Sequence, residues 1–306
     1  MPEQRIGRAV RSLGGLALGD AFGDRYFLPP DEAEQAVGRR RWPAEPVWPW
    51  TDDTAMALSV LAVLIGHGRI DQDALAADFA ARYDPGRGYG PSMNRLLRRI
   101  ADGEPWRPAA AGQFGGEGSH GNGAAMRVAP LGAYFADDLD RVAEEAALSA
   151  TVTHTHPEAV AGAVAVALAA ALAARHREDP APDRADFLRA VAGRLEPSRV
   201  RSGLERAARL APGTAPEHAA AMLGNGTLMS AQDTVPFALW AAAGHPDDLA
   251  EALWTTVAGL GDRDTTCAIA GGVVAARTGA AGAPEPWWAS REPLPAWAAA
   301  LEDAGA

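Results

Sequence analysis

Lysine is absent from the 306 residues, so every basic side chain is an arginine or one of seven histidines. Schiff-base catalysis, which needs an amine nucleophile, is thereby excluded, and so is a P-loop, whose lysine grips phosphate. Cysteine is almost as scarce. Cys267 stands alone and allows no disulfide within the chain. The opening MPEQRIGRAVRSLGG carries no apolar stretch of the kind a secretory signal needs, so a cytoplasmic location is the expectation. Positive charge is in deficit overall, with a net charge of -11. A surface that neutralises a nucleic-acid duplex or an anionic membrane is disfavoured by that balance, whereas a nucleotide in a pocket is not. Long hydrophobic runs are missing too. The most apolar segment, AVAGAVAVALAAALAA at 159–174, lies between Glu158 and Arg175 and is mostly alanine. It falls short of the ~20 residues a bilayer helix requires and suits a buried core helix.

What is present is a 48% hydrophobic composition in which apolar residues recur at three and four rather than at two. Helices are predicted over 5–19, 53–66, 72–82, 91–102, 124–135, 140–151, 157–175, 185–193, 198–210, 217–222, 233–243, 247–260 and 266–277. No convincing alternating strand appears, and the fold class is all-α, a multi-helix bundle with functional loops at helix ends. Proline and glycine mark loops at 28–50, 84–91, 104–123 and 178–183. The tail from 279 is proline-rich but holds three of the nine tryptophans, which predicts that it packs on the body. Length alone leaves one large domain or two open.

Hard oxygen donors gather at two predicted helix starts. Thr51-Asp52-Asp53-Thr54 precedes the apolar run AMALSV. By itself the quartet is a respectable helix cap, because threonine and aspartate favour N-caps and the helix dipole stabilises carboxylates in the first turn. A second cluster, Asp262, Asp264 and Thr265 in GLGDRDTTCAIAGG, repeats the pattern near the other end of the chain. Two such clusters supply what a pair of Mg²⁺ or Mn²⁺ ions requires, since those ions take carboxylates, hydroxyls and waters. An EF-hand does not fit. With Asp262 first and Asp264 third, the sixth position is Cys267 instead of glycine and the twelfth is Val273 instead of glutamate. Zinc is poorly served by the pair His154 and His156 in a chain with one cysteine and no HExxH.

These clusters, in this order in a helical chain, resemble the ADP-ribosylglycohydrolase family. GGLALGDAFG at 14–23 resembles its first helix and G-D-A-x-G turn, GRGYGP at 86–91 and GSHGNGAAMRVAPLG at 118–132 its glycine-rich substrate loops, and THTHPEAVAGA at 153–163 its middle helix start. The resemblance implies one domain over 1–306, with a core of about 5–277 and a tail at 278–306 packed on it. It implies a binuclear Mg²⁺ (or Mn²⁺) centre held by Thr51, Asp52, Asp53, Asp262, Asp264 and Thr265. It places Gly88, Tyr89, Gly90, Ser119, His120, Gly121 and Asn122 around the diphosphate and riboses of ADP-ribose, with His154 at the rim. The implied reaction is metal-dependent hydrolysis of the glycosidic bond between ADP-ribose and an acceptor, either a protein side chain or a small molecule. Glycines suit the role because they let backbone N–H groups approach a diphosphate closely.

One position departs from the family pattern. Four residues after the last glycine of the G-D-A-x-G turn, where relatives usually carry a glutamate that serves as base or proton relay, this chain has Phe27. Phenylalanine takes no proton. Asp24, Asp31 and Glu32 are the candidate substitutes, and the alternative is an ADP-ribose-binding homologue that hydrolyses slowly or not at all.

Overall fold

The computed structural model describes residues 2–43 and 47–305. Residues 44–46 of the 28–50 loop reading, and residues 1 and 306 of the single-domain reading, lie outside the described residues. Helices α1 (Pro2–Asp24), α2 (Pro30–Gly38), α3 (Asp52–His67) and α4 (Gln72–Ala81) come first. They are followed by α5 (Pro91–Ala101), α6 (Trp106–Ala111), α7 (Ala129–Tyr134), α8 (Leu139–Thr151) and α9 (Pro157–Arg175). The second half contains α10 (Arg184–Ala192), α11 (Arg199–Ala207), α12 (Pro216–Leu223), α13 (Ala231–Gly244), α14 (Leu249–Val257) and α15 (Arg263–Thr278). The chain closes with α16 (Glu285–Ser290) and α17 (Ala296–Gly305). The architecture is all-α. Among the described residues the strand-like pairings are two isolated bridges, Trp48 with Arg291 and Gly121 with Ser230.

The pairing that fixes the site is α1 against α15. Gly15, Gly19 and Gly23 recur every four residues and so share one face of α1. A Cβ on these glycines would lie 2.5 Å from the carbonyl oxygen of Gly271, 2.1 Å from that of Cys267 and 2.2 Å from that of Arg263. The partners also recur every four residues but run backwards, so the helices are antiparallel and in backbone contact. The end of α1 is thereby set beside the start of α15. The predicted stop of α1 at residue 19 is corrected, because these glycines are a packing face and the helix continues to Asp24.

Other boundaries are also redrawn. The 28–50 loop contains α2, which starts at Pro30 in the first helical turn, where proline's missing N–H costs nothing. The 104–123 loop contains α6, and the proline-rich tail contains α16 and α17. The helix predicted from 124 begins at Ala129, after a short 3₁₀ turn over Asn122–Ala124.

Helix α9 is the one helix of the described residues that is long and apolar enough to cross a membrane, and 61% of its apolar window is buried inside the fold. Its alanines let neighbours approach: Ala163, Ala167 and Ala170 are fully covered. At the tail, Trp287 stacks on Phe22 of α1 with ring centroids 4.7 Å apart. Trp48 donates its backbone N–H to Ser290 (2.6 Å) and accepts from Glu292 (2.9 Å). The Arg87 guanidinium then bonds both carboxylate oxygens of Glu292 at 2.8 Å and the Trp50 carbonyl at 2.9 Å. The tail so braces the segment that leads into Thr51.

Candidate active site

Helices α3 and α15 begin facing each other. Thr51 is the N-cap of α3, its hydroxyl accepting from the Asp53 N–H at 3.4 Å. Asp52 and Asp53 therefore occupy the first turn, where unsatisfied N–H groups favour anions. Asp262 occupies the cap position of α15 without capping it. Its carboxylate accepts instead from the Asn122 side-chain amide at 2.7 Å, and its N–H donates to the Asn225 carbonyl at 3.1 Å. Asp264 accepts from the Thr265 N–H at 2.8 Å. The two clusters meet where the Thr265 hydroxyl donates to Asp53 at 3.5 Å. Thr51, Asp52, Asp53, Asp262, Asp264 and Thr265 thus line one basin.

Beneath it lies a residue that the sequence reading passed over. Asp20 of α1 is fully buried and accepts from the N–H of Thr51 (2.9 Å), the hydroxyl of Thr51 (2.8 Å), the N–H of Thr54 (3.1 Å) and the hydroxyl of Thr54 (2.5 Å). One carboxylate so ties the start of α3 to α1. The signal was available: a lone aspartate amid GGLALGDAFG sits at a position otherwise facing core.

Burial raises every carboxyl in the basin, and repulsion between basin carboxylates adds to it for Asp52, Asp53 and Asp264. Asp53 lies well above the usual range because it is buried and because Asp20 and Asp264 face it. Burial, with Asp20 next, pushes Asp52 up to about 7. Burial raises Asp20 to about 6 against the pull of its Thr54 and Thr51 bonds. Asp264 is raised well above its usual value by burial and by Asp262, and Asp262 is raised by burial while Asn122 opposes. The Asp53 Oδ1 atom is buried without a hydrogen-bond partner. Among the described residues no group of three or more acidic, histidine or cysteine side chains is arranged to hold a metal ion. The donor set of carboxylates and threonine hydroxyls nevertheless suits a hard divalent cation, and the orphaned Asp53 oxygen is an unused acceptor.

A glycine-rich loop forms the adjoining wall. Gly118 adopts φ +75°, and a Cβ there would strike the Thr155 hydroxyl at 2.0 Å. The loop is pinned to the segment before α13, with the Asn122 N–H donating to the Met229 carbonyl (3.2 Å) and the Ala231 N–H to the His120 carbonyl (3.0 Å). The Gly121 amide is also engaged, by the Ser119 hydroxyl at 3.2 Å. Among the described residues the amides of Ser119 and His120 carry no such bond. His154 lies under this loop, almost fully buried, with its Nε2 3.0 Å from where a Cβ on Gly123 would be.

The protonation of His154 is set from behind. The Arg127 guanidinium, fully buried, donates to the Ser149 carbonyl (2.9 Å) and the Thr153 hydroxyl oxygen (3.0 Å). That hydroxyl lies 2.7 Å from His154 Nδ1. Nδ1 is the one acceptor within reach of the Thr153 proton among the described residues, which assigns the remaining imidazole hydrogen to Nε2. Burial, then the Arg127 charge, lowers His154 to about 3, so the ring is neutral and offers an Nε2–H donor.

Gly88, at φ +86°, and Gly90 flank Tyr89, whose ring is buried 5.1 Å from Tyr83. The Asn94 side-chain amide donates to the carbonyls of Tyr89 and Gly90, which fixes the turn before α5. Burial and then the Asp52 charge raise the Tyr89 hydroxyl.

Asp24, Asp31 and Glu32 are the candidates for the missing base. Asp24 pairs with Arg25 at 2.8 Å, while Asp31 and Glu32 are exposed on the first turn of α2. Among the described residues none is hydrogen-bonded to a basin carboxylate. Phe27 is 49% exposed, and the guanidinium of Arg263, between Asp262 and Asp264 in sequence, lies 5.1 Å from its ring. Phe114, also missed from sequence, projects into solvent from a strained φ of +52°, its ring 6.0 Å from that of His120. Strain held by a non-glycine residue beside a cleft is common at ligand sites.

A family model described as ADP-ribosylglycohydrolase matches residues 1–305. The chain is 30% identical over 322 residues to ADP-ribosylhydrolase ARH3 of Homo sapiens, a match covering 92% of this chain and 88% of that protein. It is 33% identical over 164 residues to ADP-ribosylhydrolase ARH3 of Danio rerio, where the aligned part covers 50% of this chain and 44% of that protein. A solved structure titled ADP-ribosylglycohydrolase-related protein complex superposes with a TM-score of 0.67 at 26% identity, covering 99% of this chain and 96% of that one.

Proposed function

Because the chain belongs to the ADP-ribosylglycohydrolase family, we propose that it hydrolyses the glycosidic bond between ADP-ribose and an acceptor in the basin between α3 and α15. The observation that carries the reading is the basin itself, in which four carboxylates from opposite ends of the chain converge and leave one buried Asp53 oxygen unpaired. Thr51, Asp52, Asp53, Asp262, Asp264 and Thr265 would hold two Mg²⁺ (or Mn²⁺) ions. When bound, such ions neutralise the carboxylates and stabilise charge that develops at a sugar.

The chain's own groups do the rest. The free amides of Ser119 and His120 donate to the diphosphate, and the Nε2–H of His154 donates upward through the glycine loop. The Phe114 and His120 rings offer a face to the base. Asn122 holds Asp262 in place from the ligand side. In the reaction the oxygen of water bonds the anomeric carbon, the carbon–acceptor bond breaks, and a proton passes to the released acceptor.

A second reading, a binder with slow or no turnover, is favoured by Phe27, which puts a ring over Arg263 where a proton acceptor is wanted. Calorimetric titration of ADP-ribose with and without Mg²⁺ separates the two when the same samples are offered arginine-linked and serine-linked ADP-ribosylated peptides. Metal-dependent binding with released ADP-ribose supports the hydrolase. Binding without release supports the binder, and no binding under either condition refutes both.

A further inference from the structure

A second cleft opens beside the other half of α1. Arg11 lies nine residues before Asp20, about 13 Å along the helix, so this cleft is separate from the basin. Two cavities, of about 820 and 450 Å³, share Arg11 and Arg177 as a common wall. Arg8 and Arg175 join them in the larger one, and Trp288 of α16 lines the smaller.

The charges here do not cancel. Arg8 is satisfied by Asp137 through two bonds of 2.9 and 2.6 Å, and Arg291 by Glu302 at 3.0 and 2.8 Å. Asp179 turns to His176 at 2.9 Å. Among the described residues Arg11, Arg175 and Arg177 have no carboxylate partner, against one unpaired carboxylate, Glu178, on the larger cavity's wall. Among the described residues that line the smaller cavity, no carboxylate is unpaired. Arg11 is half-buried, and its Nε is wholly covered without a hydrogen-bond partner. Gathering unpaired guanidinium groups around a buried donor costs free energy unless an anion completes the set. It is the more notable in a chain of net charge -11.

The neighbouring surface indicates which anion. Arginine presents a planar fork that matches phosphate oxygens two at a time. Beside it stands the Trp288 indole, half-buried and held by its N–H to the Ala280 carbonyl at 3.1 Å. Gly14 lets the indole and Glu302 pack against α1, since a Cβ on it would come within 3.6 Å of the indole and 2.8 Å of Glu302. An aromatic wall next to a pair of free guanidinium groups is complementary to a flat base joined to phosphate. We propose that this cleft binds a nucleotide, with its phosphates on Arg11 and Arg177 and its base on Trp288. The site needs neither the metal nor the hydrolytic activity.

The test is calorimetry on the full chain in chelator, with ADP and inorganic pyrophosphate as separate probes. Arg177 is exposed, so Arg177→Gln leaves the fold intact, and a melting curve confirms it. The expected result is that Arg177→Gln weakens both probes by about tenfold or more, the scale of one lost charge-assisted pair. Trp288→Leu weakens ADP and leaves pyrophosphate unchanged. ADP binding that is absent at millimolar concentration, or that persists undiminished in an Arg11→Gln/Arg177→Gln double variant and so belongs to the basin, overturns the proposal.

Discussion

A methyl group on Gly19 would stand 2.1 Å from the carbonyl oxygen of Cys267, so α1 and α15 touch backbone to backbone. No rotamer relieves that contact, because the obstructing atom is main chain. Gly19→Ala forces the helices apart and should destabilise the protein by at least the ~1–3 kcal/mol typical of overpacked cores. It also moves Asp262 and Asp264 away from Asp52 and Asp53, so ADP-ribose affinity should fall with the denaturation midpoint. A Gly38→Ala control, where an added Cβ meets nothing within 4 Å, should alter neither.

Asp20 should act through α3 without touching ligand. Asn at this position keeps the volume but turns a donor toward the hydroxyls and amides of Thr51 and Thr54, which now donate to it. Each buried donor left unmatched costs about 1–3 kcal/mol. Asp20→Asn is expected to lower the urea midpoint and to weaken divalent-cation binding in calorimetry, since the cap of α3 loses its anchor.

Thr153 should decide which nitrogen of His154 carries hydrogen. Thr153→Val removes both the acceptor for Arg127 and the donor to Nδ1, and is expected to cost about 1–3 kcal/mol in chemical denaturation. The imidazole ¹⁵N shifts should change from a single Nε2–H form to a mixture of tautomers. Thr153→Ser, which retains the hydroxyl, should restore both readouts.

Without divalent cation, stability should fall as pH rises through the basin's titration. Asp52 and Asp20 have folded values of about 7 and about 6, above the ordinary carboxylate value, so the folded state binds more protons than the unfolded state in between. That stabilisation is complete below the ordinary carboxylate value and is lost as pH approaches neutrality. His154, lowered to about 3, acts in the opposite sense, its stability being complete above the ordinary imidazole value and lost as pH falls below it. The several carboxyls outweigh one imidazole in the mildly acidic range. Mg²⁺ should therefore raise the melting temperature more at pH ~8 than at pH ~5.5, and binding at pH ~6 should release protons, read from calorimetry in buffers of different ionisation enthalpy.

Phe27→Glu would place a proton acceptor at the rim beside Arg263. If the wild type lacks a base, turnover should rise by the ~10²–10⁴-fold that acid–base assistance contributes. A change of less than about tenfold would mean that another group already serves, and alanine at Asp24, Asp31 and Glu32 in turn should then show which.

The fold class was legible because apolar residues repeat at helical spacing over long stretches, as in α9 and α15. Local punctuation misled where tertiary contact reassigned its meaning. Gly19 and Gly23 look like stops and are contact points, and Pro30 looks like a break but opens α2. The threonine–aspartate clusters were legible as helix starts bearing hard oxygens. A lone aspartate in an apolar stretch marked Asp20, but nothing in a one-dimensional pattern shows that it lies under Thr54, and Arg127, which acts through Thr153, left no mark at all.

The glycine face of α1 has a consequence during synthesis. Residues 15–23 leave the ribosome roughly 250 residues ahead of their partners at 263–271. At about 5–20 residues per second, α1 waits some 10–50 s for the helix that covers it. Until then, that glycine face has no native counterpart and the basin lacks the wall that α15 supplies. A nascent chain arrested before α15 therefore presents α3 and its acidic cap without the other half of the site, and assembly of the basin waits for the synthesis of α15.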